Sequence, residues 1–212
     1  MTTTVSKRRP IQIEASVLFS NELEAWLKDK NKKTINDLEE VFGPRSFAIM
    51  ILLFMALPAL PIPTGGISHI FEIIAVTIAA QMIVGKEKLW LPQKWRKKVI
   101  SDKVQKAMIV PLLKFIRFFE KFSKPRLGGL INTKPFTSLI GLVIVVFTAA
   151  AFISPPFSGL DTLPAMGVVI LCLSIILKDI TLVVLGSVVG SVGIALLASA
   201  GFAITKVVDH II

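Results

Sequence analysis

The sequence predicts an all-α fold: a polytopic helical membrane protein with two repeated Pro/Gly-broken helical hairpins, an amphipathic basic connector between them and a C-terminal transmembrane helix. Three observations predict it. Hydrophobic residues make up 53% of the 212, with a mean hydropathy of +0.74, and charged residues only 18%, against about 25% in soluble domains. Two stretches, Ser46–Gly85 and Pro135–Leu177, hold one carboxylate each, Glu72 and Asp161; apolar runs this long exceed what the core of a small soluble protein needs. The basic excess is gathered between them, since Lys86–Arg126 carries thirteen Lys/Arg against three acids while the remainder balances. Together these exclude a soluble enzyme, a disordered chain and a disulfide scaffold.

Residues 1–43 read as a small cytoplasmic helical segment. No apolar run precedes the charges of Glu22, Glu24 and Lys28, so the first membrane segment is expected to direct insertion. Ser20 precedes a helix containing Glu22, Glu24 and Trp26. Thr34 opens a second, with Asp37 three positions on in a variant capping box and Leu38, Val41 and Phe42 as its apolar face.

Residues 44–86 form the first broken-helix unit: a helix over Arg45–Leu57, a break over Pro58–Gly66 and a helix over Ile67–Val84. Proline supplies no backbone donor and obstructs a continuing helix, so one uninterrupted span cannot cross the break. Residues 135–179 repeat the plan, with helices over Thr137–Ile153 and Leu160–Leu177 around a break at Ser154–Gly159. An offset of 93 residues superposes the units without a gap and sets Pro63 on Pro156, Gly66 on Gly159 and Ser68 on Asp161. The first helix of unit one, at roughly 20 Å for 1.5 Å per residue, is short against a hydrocarbon core of ~30 Å. The tips are therefore either re-entrant, buried in protein or lining a wet cavity, or ordinary hairpin turns in the headgroup layer. Paired interrupted segments are also the sequence mark of a transporter-type site.

Residues 87–134 form the basic connector. Within it Val99–Phe122 sets Met108, Leu112, Phe115, Phe118, Phe119 and Phe122 near one helical face, with Lys106, Lys114, Arg117 and Lys121 for the other, and Pro111 expected to bend or divide the helix. Trp90 and Trp95 flank its entry as interfacial indoles do. Such a segment suits the surface of an anionic bilayer, so Lys94, Arg96, Lys97, Lys98, Lys106, Lys114 and Arg117 are the candidate lipid-binding residues; nucleic acid is not an expected partner. If each unit enters and returns, the amino end and the connector are cytoplasmic; the competing arrangement sends the connector helix across the bilayer, inverts unit two and buries Lys114 and Arg117. Residues 180–212 supply the last span and a tail. Gly186, Gly190 and Gly193, with Ser187 and Ser191, offer a small-residue face either for packing within the chain or for a homo-oligomer contact.

The chemistry available inside the apolar blocks is sparse. Glu72 and Asp161 are intramembrane carboxylates, which default to functional candidates. His69, three residues before Glu72, shares its face and pairs with it for proton relay or cation binding. Pro63, Gly65, Gly66, Pro156 and Gly159 bring backbone to the breaks, where N–H groups can approach an anion or simply form the turn. Ser68 and Asp161 read equally as helix caps. Cys172 is alone in an apolar helix and reads as a small hydrophobe. His69 and His210 have no ligand spacing, so no metal or cofactor is expected, and no nucleophile–base set is present to suggest an enzyme. Two functions stay open: transport, with a ligand site at the two breaks, and a non-catalytic accessory that binds lipid or partner proteins.

The succession TINDLEEVFG, LPALPIPTGG, AAQMIVGKEKLWLPQKW, KPRL and LPAMGVVILCLSIILKD resembles the ExoD family of bacterial membrane proteins over about residues 20–200. The most specific pieces are the Pro-rich break, Gln81–Gly85 with Trp90, Leu91 and Pro92, and Pro125 with Arg126. The family usually has an Asp-Gly pair after the second unit, where Asp179 is followed here by Ile180. The resemblance implies a multi-pass bacterial inner-membrane protein connected with exopolysaccharide synthesis and with partners in polysaccharide assembly; it implies no particular reaction.

Overall fold

The computed structural model describes residues 18–28, 34–61, 67–86, 88–90, 110–124, 128–131, 133–155 and 158–211, and among these described residues helices are the only extended regular elements. In chain order they are α1 (Phe19–Lys28), α2 (Ile35–Phe42), α3 (Arg45–Met55), α4 (Ile67–Ile83), α5 (Val110–Glu120), α6 (Gly128–Ile131), α7 (Lys134–Ile153), α8 (Thr162–Leu177) and α9 (Ile180–Ile211). The helix bounds fall within about three residues of those the sequence suggests for α3, α4, α7 and α8; α9 runs on through the expected tail.

α8 is the hub. Twelve of its sixteen residues are buried, and a helix apolar all round belongs in the interior of a bundle. It packs against α3, α7 and α9, and α4 packs against α3 and α7. Among α3, α4, α7 and α8 alone, exchanging α3 with α7 and α4 with α8 leaves the pairings unchanged, whereas α9 packs on α7 and α8. α4 and α7 run antiparallel. Ser138 Oγ, near the start of α7, donates to the Met82 carbonyl at the end of α4 (3.3 Å), and His69 stacks on Phe152 at the opposite ends. Burial and the Arg45 charge push the Lys178 ammonium below its ordinary value. The start of α4 and the end of α7 thus lie together at one end of the bundle, with the end of α4 and the start of α7 at the other.

The small-residue face of α9 is turned inward. A Cβ on Gly190 would overlap the Phe147 ring of α7; one on Gly167 would fall 2.6 Å from Gly190 Cα, and one on Gly193 would fall 2.5 Å from Pro164 Cδ. The seam that sequence offered to a monomer or a dimer is filled by α7 and α8, while Val184, Val188, Val192 and Phe202 stay exposed. Two helices, Lys134–Ile153 and Ile180–Ala203, are long and apolar enough to cross a membrane; α3, α4 and α8 are shorter apolar helices.

At the end away from the breaks, α1 packs on α5 and α2 on α3. Phe19, Leu23 and Trp26 recur at three- and four-residue spacing and are buried, with Phe19 and Trp26 against Phe42 at 5.4 and 6.0 Å between ring centroids. The Thr34–Asp37 capping box forms in both directions. Leu38 and Phe42 are buried but Val41 is exposed, so the apolar face of α2 is narrower than expected. Ser20 lies inside α1 rather than ahead of it, and its N–H donates to Glu120 Oε1 of α5 (2.9 Å). The expected apolar face of the connector helix divides: Leu112, Leu113 and Ile116 turn inward, while Phe115, Phe118 and Phe122 remain exposed. Pro111 falls in the first turn of α5, where its missing donor costs little. Met108, Trp95 and the rest of residues 91–109 are outside the described residues.

Candidate functional site

Glu72 sits one turn and a half into α4 and is fully buried. Its neighbour at i−3, His69, presents Nδ1 to Glu72 Oε2 at 2.8 Å. Either Nδ1–H donates to the carboxylate or the protonated carboxyl donates to Nδ1, so one proton can serve both groups. Among the described residues Glu72 Oε1 has no hydrogen-bond partner. The His69 ring is partly exposed and meets Phe152 of α7 edge to face, 5.0 Å between centroids. That contact fixes the imidazole plane against the end of the second unit's first helix.

Asp161 completes the grouping from the other break. It occupies the N-cap position of α8, yet its side chain makes no capping hydrogen bond, so the helix-cap reading of this residue fails. It lies within electrostatic reach of Glu72. The structure thereby brings His69 and Glu72 of the first unit against Phe152 of the second. Ser68 is buried in the first turn of α4. Gly159 has φ +71°, a conformation that glycine adopts without the Cβ penalty, and it leads the chain into α8. Pro63, Gly65, Gly66 and Pro156 lie outside the described residues.

Phe152 was not singled out in the sequence, and one aromatic among many apolar residues gave no signal. Asp179 enters the sequence reading only through the residue that follows it, although an Asp immediately before an apolar run is an N-cap signal. It is buried and caps α9 by accepting the Thr181 N–H on Oδ1 (3.0 Å), while Oδ2 accepts from Ser123 Oγ and the Lys124 N–H (both 3.0 Å). Burial pushes its carboxyl up, but these hydrogen bonds outweigh burial and hold it below the ordinary value. The turn before it forms without the family's glycine: Lys178 takes the left-handed conformation, φ 56° and ψ 39°, and α9 starts directly at Ile180.

Gln81 works similarly at the other connector end. Its Oε1 accepts the Trp90 N–H (2.6 Å) and its Nε2 donates to the Trp90 and Thr77 carbonyls (3.2 Å each). Of the candidate lipid-binding residues, Lys114 is exposed and Arg117 is ion-paired with Glu24; Lys94, Arg96, Lys97, Lys98 and Lys106 are outside the described residues.

Residues 19–199 match the family described as Exopolysaccharide synthesis, ExoD. The chain belongs to the ExoD family. Among curated proteins, this ExoD chain is similar to "Uncharacterized protein slr1875" of Synechocystis sp. (strain ATCC 27184 / PCC 6803 / Kazusa), 29% identical over 133 residues, which is 62% of the chain and 59% of that relative. The match thus spans about three fifths of the relative's length. No solved structure matches the ExoD chain. ExoD membership and the two long apolar helices together point to a membrane protein with a link to exopolysaccharide synthesis.

Proposed function

We propose that this ExoD protein is a multi-pass inner-membrane transport protein, not an enzyme, with a proton- or cation-binding site where the two helix breaks meet. One observation carries the reading: a fully buried carboxylate in an apolar helix, Glu72, is paired with His69 at 2.8 Å and lies in electrostatic reach of Asp161 from the other unit. A lone buried carboxylate is costly in an apolar surround. Sharing a proton with imidazole lowers that cost, and loading or losing the proton changes the charge facing Asp161. Supporting it further, α3 has eleven residues, roughly 16 Å at 1.5 Å per residue, which suits a re-entrant arm better than a full span. The positive connector, by the charge bias of membrane loops, sets the amino-terminal helices and α5 on the cytoplasmic side.

The test is proton flux in liposomes reconstituted with the full chain and loaded with a pH-reporting dye. Glu72→Gln keeps the shape of the side chain but holds no exchangeable carboxyl proton, and Asp161→Asn removes the second charge. Both are expected to abolish most of the flux while leaving the protein monodisperse in detergent. Flux undiminished in both removes the site. Absence of flux in the unsubstituted protein turns the reading to the accessory role.

A further inference from the structure

α5 has a second face that the bundle leaves uncovered. Its inward strip, Leu112, Leu113 and Ile116, is buried, and polar ties lock that orientation: Arg117 pairs with Glu24 and Glu120 accepts the Ser20 N–H. The helix cannot roll without breaking them. What this fixed orientation presents outward is Phe115, Phe118 and Phe122, with Phe118 56% and Phe122 71% exposed. The rings are already assembled: Phe119 contacts Phe115 at 4.9 Å and Phe118 at 5.5 Å, and Phe118 contacts Phe122 at 5.4 Å. Lys114, Lys121 and Lys124 are exposed along the same short stretch, whereas the helix's one acid, Glu120, is turned to α1.

The height of the patch is fixed too. Ser123 and Lys124, just past the last ring, are hydrogen-bonded to Asp179, the residue that caps the start of the Ile180–Ala203 span. The rings therefore lie at the level where an apolar span ends, which in a bilayer is the boundary of acyl chains and headgroups. Aromatic side chains prefer that boundary, and lysines beside them meet phosphate there.

We propose that the exposed face of α5 is a bilayer-docking surface, with Phe115, Phe118 and Phe122 inserted at the acyl boundary and Lys114, Lys121 and Lys124 bound to the phosphates of anionic lipids. This goes beyond the transport site and is independent of it, since α5 lies at the end of the bundle away from the breaks. The rings supply burial and the lysines choose the lipid charge.

The experiment places a spin label at position 118 (Phe118→Cys, in a Cys172→Ser background) in the full chain. Nanodiscs contain phosphatidylcholine alone or with phosphatidylglycerol. Reference labels sit at Val188 on the exposed face of α9 and at Glu40 on α2. With phosphatidylglycerol, the label at 118 is expected to be as shielded from a water-soluble relaxation agent as the label at 188. It should move toward the value at 40 when Lys114 and Lys121 are both replaced by Glu. A label at 118 as open as the one at 40 in every disc would falsify the docking surface. Shielding equal in both lipids and unmoved by the charge reversals overturns the anionic-lipid assignment.

Discussion

Asp179 shows how much a single buried side chain can decide. Three donors converge on its carboxylate, from the connector and from α9, so the charged form is the one the fold needs. Its folded acidity is stronger than the ordinary value of 3.8; its contribution to stability is therefore complete above that value and is lost as pH falls through the lower folded one. Asp179→Asn turns an amide NH₂ toward one of the donors, and a cost of about 1.5–3 kcal/mol is expected from the loss of hydrogen bonds to a charged acceptor. Thermal unfolding in detergent at neutral pH checks this, and the gap between the two proteins should close in strong acid. The adjacent Lys178 points the other way. A non-glycine residue in the left-handed region carries roughly 1–2 kcal/mol of strain, so Lys178→Gly is expected to raise the melting temperature in the same assay.

At the scale of the helix, the α8–α9 seam depends on residues with no side chain. Gly190 lies under the Phe147 ring and beside Gly167, and helices in lipid associate through such close contacts rather than through burial from water. Gly190→Ala should therefore cost about 1–3 kcal/mol, the range for overpacking a filled site, whereas Gly201→Ala, with nothing within 4 Å of the added carbon, should be neutral or gain up to about 1 kcal/mol of helix propensity. A melting comparison in detergent separates them; equal effects would mean that the seam is not tight. This seam was legible as a small-residue pattern, but which partner filled it was not, because glycine spacing records closeness without naming the neighbour. The helix bounds were legible because Pro and Gly act on the chain locally. The orientation of α5 was not: Leu112 and Phe115 differ little in hydropathy, and the choice between them was made by Glu24 and Ser20, some ninety residues earlier in the chain. The candidate site was half legible. Glu72 and Asp161 stood out as lone acids, and His69 by its spacing, but the contact of His69 with Phe152 depends on the antiparallel pairing of α4 with α7.

At the scale of the whole molecule, the ends of the bundle differ. One end holds both breaks, the His69–Glu72 pair and Asp161; the other holds α1, α2, α5 and the Asp179 anchor. α9 starts at the anchor, passes Pro164 at Gly193 and continues to Ile211, so its last turns run past the break end. On the proposed multi-pass reading, a bilayer around the two long apolar helices would have Ser158 and Lys206 on one face and Lys121 on the other. The alternative with an inverted second unit would need the two breaks on opposite faces, which the stacking of His69 on Phe152 opposes. Single cysteines at 158, 206 and 121 in a Cys172→Ser background, treated on intact cells with an impermeant thiol reagent, test this directly. Ser158 and Lys206 are exposed positions and should label together, with Lys121 protected until the inner face is opened, since the positive connector belongs inside. Labelling of 121 and 158 from the same side would contradict the two-ended bundle itself, and with it the proposal that the two units share a site at one end.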